Sequence, residues 1–214
     1  MMLKSFGCSF TFGSDLLDCD QHQASQQTWP ALLAKDLNYD YECYAQPGIG
    51  NLQIYHELLS QLPLSDSDMF IINWTWADRF DFIDPLNEMW HTLRPDGDTK
   101  EHQLYYKHFY NQYHTMMTNT AYISSAIELL NKYNKKFIMT CIDNVLFDIV
   151  NPDWQDPRSI TLLQNEIRPH ITWFEDQTFL EYSKEKGFPI SETLHPLEDA
   201  HQAAFELIKS YNLV

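Results

Sequence analysis

Apolar and polar positions alternate along this chain between two kinds of pattern. Leu3-Lys4-Ser5-Phe6, Asp68-Met69-Phe70-Ile71-Ile72-Asn73-Trp74-Thr75 and Lys135-Lys136-Phe137-Ile138-Met139-Thr140-Cys141-Ile142 are short, largely apolar runs. The latter two are of the kind that buried parallel strands require. The aromatic segment Tyr39 to Ala45 reads as a further strand, because it stops at the turn signal Pro47-Gly48-Ile49-Gly50-Asn51. Between these runs the apolar residues recur at helical spacing. Trp29 to Leu37 starts with Thr28 as a candidate cap and Pro30 in the first turn, and Leu52 to Leu62 is closed by Pro63. A long helical candidate runs from His102 to Tyr133, shorter ones over Ser159 to Glu166 and over Phe174 to Lys186 with Gly187 closing it, and a terminal amphipathic helix over Gln202 to Tyr211.

Strands alternating with helices over connections of this length predict a parallel sheet covered by helices on both faces. In that class, ligands bind beyond the carboxyl ends of the strands, where Ser9, Gly48 to Asn51 and Thr75 to Arg79 fall. Two stretches resist the pattern. Ser14 to Gln27 is polar without periodicity and reads as a loop, and Phe80 to about Lys100 is too irregular for one element and too long for a simple connection. The expectation is one domain over 1–214 with a loop or lid excursion at about 80–120.

Bulk composition narrows the partners. A formal net charge of −16, from 30 acidic and 14 basic residues, repels phosphate backbones and anionic lipid, so neither nucleic acid nor a membrane surface is expected. Cys8, Cys19, Cys43 and Cys141 fit neither zinc spacing nor a disulfide framework, and His102, His108 and His114 spread around a helix rather than stacking on it. No metal and no cofactor are expected. Without a basic leader or a long apolar run, a cytoplasmic location is the default expectation. The oligomeric state is not legible.

Chemistry concentrates at the two ends. Gly7-Cys8-Ser9-Phe10-Thr11 delivers a serine to the end of the first strand with small residues around it, as a nucleophile requires. Near the other end, His195 sits on the loop before the last helix, with Glu192 three residues upstream. Serine, histidine and a carboxylate to orient the imidazole are the parts of an acyl-transfer site, completed by the backbone amides of Ser9 and Gly50 as oxyanion donors.

This arrangement resembles the SGNH, or GDSL-type, hydrolases. Gly7-Cys8-Ser9-Phe10-Thr11 is similar to their first block, with Cys8 where aspartate is usual; Pro47-Gly48-Ile49-Gly50-Asn51 resembles the second, with Gly50 as the better match; and Glu192-Thr193-Leu194-His195-Pro196 resembles the last, with glutamate for aspartate. The third block departs most, since Thr75-Trp76-Ala77-Asp78 lacks the asparagine that donates to the oxyanion, leaving Thr75 or Asn73 as substitutes. The resemblance implies a three-layer α/β/α sandwich with a mostly parallel, flavodoxin-like central sheet. It also implies a serine esterase or deacylase acting through an acyl-enzyme on a small-molecule or carbohydrate ester, with an O-acetyl group on a carbohydrate as one candidate. Ser9, His195 and Glu192 would be catalytic; Ser9, Gly50 and Thr75 would form the oxyanion hole; and Asn51, Asp78 and Arg79 would line the cleft. The missing asparagine leaves a second reading open: a catalytically lapsed fold that binds a glycan or a protein through the aromatic segment from Trp90 to Tyr113.

Overall fold

In a computed structural model of the chain, which describes residues 1–20, 22–62, 68–148, 150–154 and 157–213, the apolar runs pair as strands. β1 (Met2–Phe6), β2 (Asp40–Cys43), β3 (Met69–Trp74) and β6 (Lys136–Cys141) form a parallel sheet in the order β2-β1-β3-β6. Every residue of β3 is buried, which is why that run carries no polar alternation. The parallel bridge of Met139 with Ile171 extends the sheet beyond β6.

The crossover helices are α2 (Trp29–Asp36), α3 (Asn51–Gln61), α5 (Gln112–Lys132), α6 (Pro157–Ile167), α7 (Phe179–Glu185) and α8 (Glu198–Ser210). α2 packs on α8, while α3 packs on α5 and α5 on α6. The result is a three-layer α/β/α sandwich with a flavodoxin-like strand order. Its core is made by Leu3, Phe6, Ile54, Leu58, Phe70, Ile72, Ile123 and Leu130, none of which has accessible surface. Pro63 lies outside the described residues.

Three regions differ from the sequence-based expectation. Residues 80–93 form an antiparallel hairpin of β4 (Phe80–Ile83) and β5 (Trp90–Leu93). Its turn is built by side chains: Asp84 Oδ1 accepts from the Leu86 N–H and Asn87 Oδ1 from the Met89 N–H, with Glu88 in the left-handed region at φ 57°. Such polar turn residues broke the alternation that would have marked the strands. The long helix expected from His102 divides into α4 (Lys100–His108) and α5, because the Asn111 side chain accepts from the His114 N–H and starts a new helix. The expected helix from Phe174 begins only at Phe179, where Thr178 and Glu181 close a capping box.

Candidate active site

The turn after β1 is set by a close approach. A Cβ on Gly7 would stand 2.3 Å from Thr11 Oγ1 and 3.1 Å from the Asn73 carbonyl oxygen, so this glycine lets the chain fold back immediately into the one-turn helix α1 (Ser9–Phe12). Ser9 is the first residue of that helix, and its N–H has no acceptor within it. Cys8 is fully buried in the core beneath it. Gly13 ends α1 in the left-handed conformation at φ 81°, and Asp15 follows at φ 72°. The polar loop thus doubles back toward Ser9.

His195 completes the geometry. Its Nε2 lies 2.8 Å from Ser9 Oγ and its Nδ1 lies 2.7 Å from Asp15 Oδ2. Ser191 Oγ donates to the same carboxylate oxygen at 2.7 Å, and the Thr193 hydroxyl donates to it as well. Hydrogen bonds from Thr193, His195 and Ser191, in that order of weight, hold the Asp15 carboxyl down at about 2, below the usual carboxylate range. Asp15 is therefore an anion wherever the imidazole must accept a proton. Phe10 meets the His195 ring edge-on at 5.3 Å and fixes its plane.

The carboxylate against the imidazole is thus Asp15, and the expectation for Glu192 is corrected. Leu194 takes a left-handed backbone at φ 67° and its N–H closes a turn onto the Ser191 carbonyl. That turn delivers Ser191, Thr193 and His195 to Asp15, while Glu192 stands exposed along the cavity wall. Periodicity offered no route to Asp15, one of several acids in an aperiodic loop. The available signal was an aspartate just after Gly13, since both residue types are favoured in left-handed turns.

The oxyanion expectations also change. The Gly50 N–H donates to Asp81 Oδ1 at 2.8 Å, so it is not available to a substrate. Asp81, on β4, also accepts from the Gln53 N–H at 2.9 Å and from Thr92 Oγ1 at 2.6 Å, and thereby ties the hairpin to the start of α3. The glycine that faces the cavity is Gly48, at φ 86°, whose N–H meets no acceptor among the described residues. Thr75 has no accessible surface and lies outside the cavity lining, as does Asn73, whose Oδ1 accepts from Thr140. Asn51 is likewise structural: its side chain accepts from the Thr75 N–H at 2.7 Å and donates to the Thr75 carbonyl at 3.1 Å and to Asn119 at 2.7 Å, locking α3 to the exit of β3.

Ser9 and His195 open onto a cavity of about 650 Å³, which Gly48, Trp76, Asp78, Arg79 and Arg94 also line. Asp78 and Arg79, expected from the sequence to lie at a cleft, are among the residues lining this cavity. Burial and the neighbouring Asp143 push the Asp78 carboxyl up. Among the described residues, no group of three or more His, Cys, Asp or Glu is arranged to hold a metal, and no helix is long and apolar enough to cross a membrane.

Behind the site, His201 of α8 is 1% exposed and its Nδ1 accepts the Trp29 N–H at 3.2 Å, capping α2 from another helix. Burial, helped by the nearby His195, lowers it from 6.5 to about 3, so it stays neutral. Below about pH 6.5 the unfolded chain takes a proton that the native state refuses, so this contribution to stability is complete above 6.5 and erodes as the pH falls toward 3, by about 1.4 kcal/mol per pH unit. Urea unfolding of His201→Asn, whose amide oxygen can replace Nδ1 as acceptor, is expected to show a flatter acid-side slope than the parent between pH 6 and 4 by about that amount.

No family model and no curated protein matches the sequence. The fold is that of the SGNH, or GDSL-type, hydrolases. The structure is similar to that of TesA over 100% of both chains, with a TM-score of 0.55 at 15% identity. It is similar to a catalytic mutant of an acetylxylan esterase from Geobacillus stearothermophilus over 98% of this chain and 92% of that one, with a TM-score of 0.54 at 11% identity. The psychrotrophic esterase EstA from Pseudoalteromonas sp., in a structure inhibited by monoethylphosphonate, matches over 99% and 98% of the two chains, with a TM-score of 0.52 at 9% identity.

Proposed function

We propose that the chain is a serine ester hydrolase whose triad is Ser9, His195 and Asp15. One observation carries the reading: a continuous relay from Ser9 Oγ to His195 Nε2 at 2.8 Å and from His195 Nδ1 to Asp15 Oδ2 at 2.7 Å, opening onto one cavity. Ser9 Oγ attacks the ester carbonyl carbon while His195 Nε2 takes its proton, and the carbonyl π electrons move onto oxygen. That oxyanion is received by the amides of Ser9 and Gly48. Collapse breaks the bond to the alcohol oxygen, which receives the proton from His195. A water then attacks the acyl-enzyme by the same route and releases the acid. Asp15 keeps the proton of the neutral imidazole on Nδ1 and stabilises the imidazolium.

With Ala77 where the family has asparagine, the oxyanion has no side-chain amide at that position. Losing one such donor costs about a hundredfold to a thousandfold in kcat, so turnover slower than that of a three-donor site is expected. The fold neighbours that are acetylxylan esterases support an O-acetyl carbohydrate as one candidate substrate. The reading as a lapsed binding module is less well supported. Within the segment it would use, Tyr105 is packed on Phe80 at 4.5 Å and against Tyr106 at 5.0 Å, and Tyr106 against Tyr110 at 5.5 Å.

The test is labelling by a fluorophosphonate probe with the modified peptide identified, alongside hydrolysis of short-chain nitrophenyl esters at neutral pH. Modification at Ser9, lost in Ser9→Ala and His195→Ala with little change in Tm, is the expected outcome. Absence of both labelling and hydrolysis in the folded protein overturns the proposal.

A further inference from the structure

Two guanidinium groups stand in this cavity, in a protein that carries an excess of 30 acidic over 14 basic residues. Arg79 Nη1 donates to the Ile49 carbonyl at 2.8 Å and, among the described residues, has no carboxylate within ion-pair distance. Arg94 projects from the end of β5 so that its Nη1 comes within 3.7 Å of where a Cβ on Gly48 would be. Its own counter-charge is slack: Nε stands 3.7 Å from Asp96 Oδ1, too long for a hydrogen bond, and that carboxylate is 79% exposed. Both guanidinium groups therefore reach the Gly48 turn with most of their donors unspent by protein acceptors.

Resting on the serine-hydrolase reading, we infer that Arg94 and Arg79 form an anion subsite beside Ser9, and that the ester it takes carries a carboxylate or phosphate on one of its two halves. A planar guanidinium offers paired donors that match either group, which a solvated lysine does not. The cavity's own acids do not cancel this pair. Of the acids lining the cavity, Asp96 and Glu192 are exposed, and Asp78 makes no ion pair with either guanidinium among the described residues. The net charge of −16 opposes an approaching anion at long range. At contact distance the guanidinium wins, since exposed charges beyond about 8 Å are largely screened at physiological ionic strength.

The experiment compares kcat/KM for matched ester pairs. Mono-(4-nitrophenyl) succinate against 4-nitrophenyl butyrate places the charge on the acyl half; acetylsalicylate against its methyl ester places it on the alcohol half. The intact protein is expected to prefer the charged member of at least one pair by about tenfold to a hundredfold. That ratio should collapse toward one in Arg94→Gln, recover in part in Arg94→Lys, and shrink with added salt. Competition by methyl phosphate and by acetate distinguishes the two anions, the preferred one being the stronger inhibitor. If neutral esters are turned over and Ser9 is labelled while both ratios stay near one, or if a charged-ester preference survives unchanged in Arg94→Gln, the anion subsite is overturned and the hydrolase reading stands. If nothing is turned over or labelled, it is the hydrolase reading that has failed.

Discussion

Asp15→Asn is expected to lower kcat for a nitrophenyl ester by about three to four orders of magnitude, with KM changed far less. The size follows from the tautomer. An asparagine amide placed 2.7 Å from His195 Nδ1 can present its NH₂ as donor, which leaves Nδ1 unprotonated and puts the ring proton on Nε2. The imidazole then faces Ser9 with a proton already in place and cannot take another, the effect seen when a triad aspartate is amidated in the serine-protease template. Glu192→Gln, which alters the acid suggested by family spacing, should fall by far less. Steady-state kinetics on the two variants decide between the two acids: equal losses, or a larger loss at 192, would remove Asp15 from the triad. A pH series adds a second check. Because the Asp15 carboxyl sits at about 2 in the native state and near 3.9 when unfolded, its contribution to stability is present above about pH 4 and lost as the pH falls toward 2. The stability gap between parent and Asp15→Asn should therefore close over that window.

The second large effect is expected at Asp81. This carboxylate is 5% exposed and accepts from the Gly50 N–H, the Gln53 N–H and the Thr92 hydroxyl. In Asp81→Asn one amide donor must face a backbone donor. Each buried group left unmatched costs about 1–3 kcal/mol, so a loss of about 2–4 kcal/mol and a fall in Tm of about 5–15 °C are expected by thermal unfolding. Activity should suffer beyond stability. Measured well below the new Tm, kcat should fall by about a hundredfold, because the turn that carries Gly48 is held at its far end by this bond. A variant that loses stability but keeps its kcat would separate the brace from the chemistry.

The sheet was readable because burial on both faces leaves a simple signature: β3 and β6 are near-continuous apolar runs, and β1 is a shorter one ending at Gly7. The places of Ser9 and His195 in the fold were readable because each sits at a fixed position relative to an element, the end of β1 and the start of α8. The carboxylate that meets the imidazole was not, since it is selected by backbone conformation rather than by sequence distance. Gly13 and Asp15 both adopt positive φ, and nothing in a row of Asp15, Asp18 and Asp20 declares which one will turn inward. Gly48 and Gly50 posed the same difficulty. Two glycines in one turn are equivalent on paper, and only the third dimension shows that Asp81 has taken the amide of the second. The Phe80–Leu93 hairpin was hidden by its own turn, where Asp84 and Asn87 supply side-chain acceptors to the backbone.

In the proposed triad, the placement of the acid on the N-terminal segment has an evolutionary consequence. Residue 192, which under that proposal does not orient the histidine, lines the cavity together with Leu194. It is a position at which the chain can trial different side chains against incoming molecules without disturbing the reaction apparatus. A saturation library there should yield altered selectivity among folded, competent variants, whereas the same library at residue 15 should yield mostly silent ones.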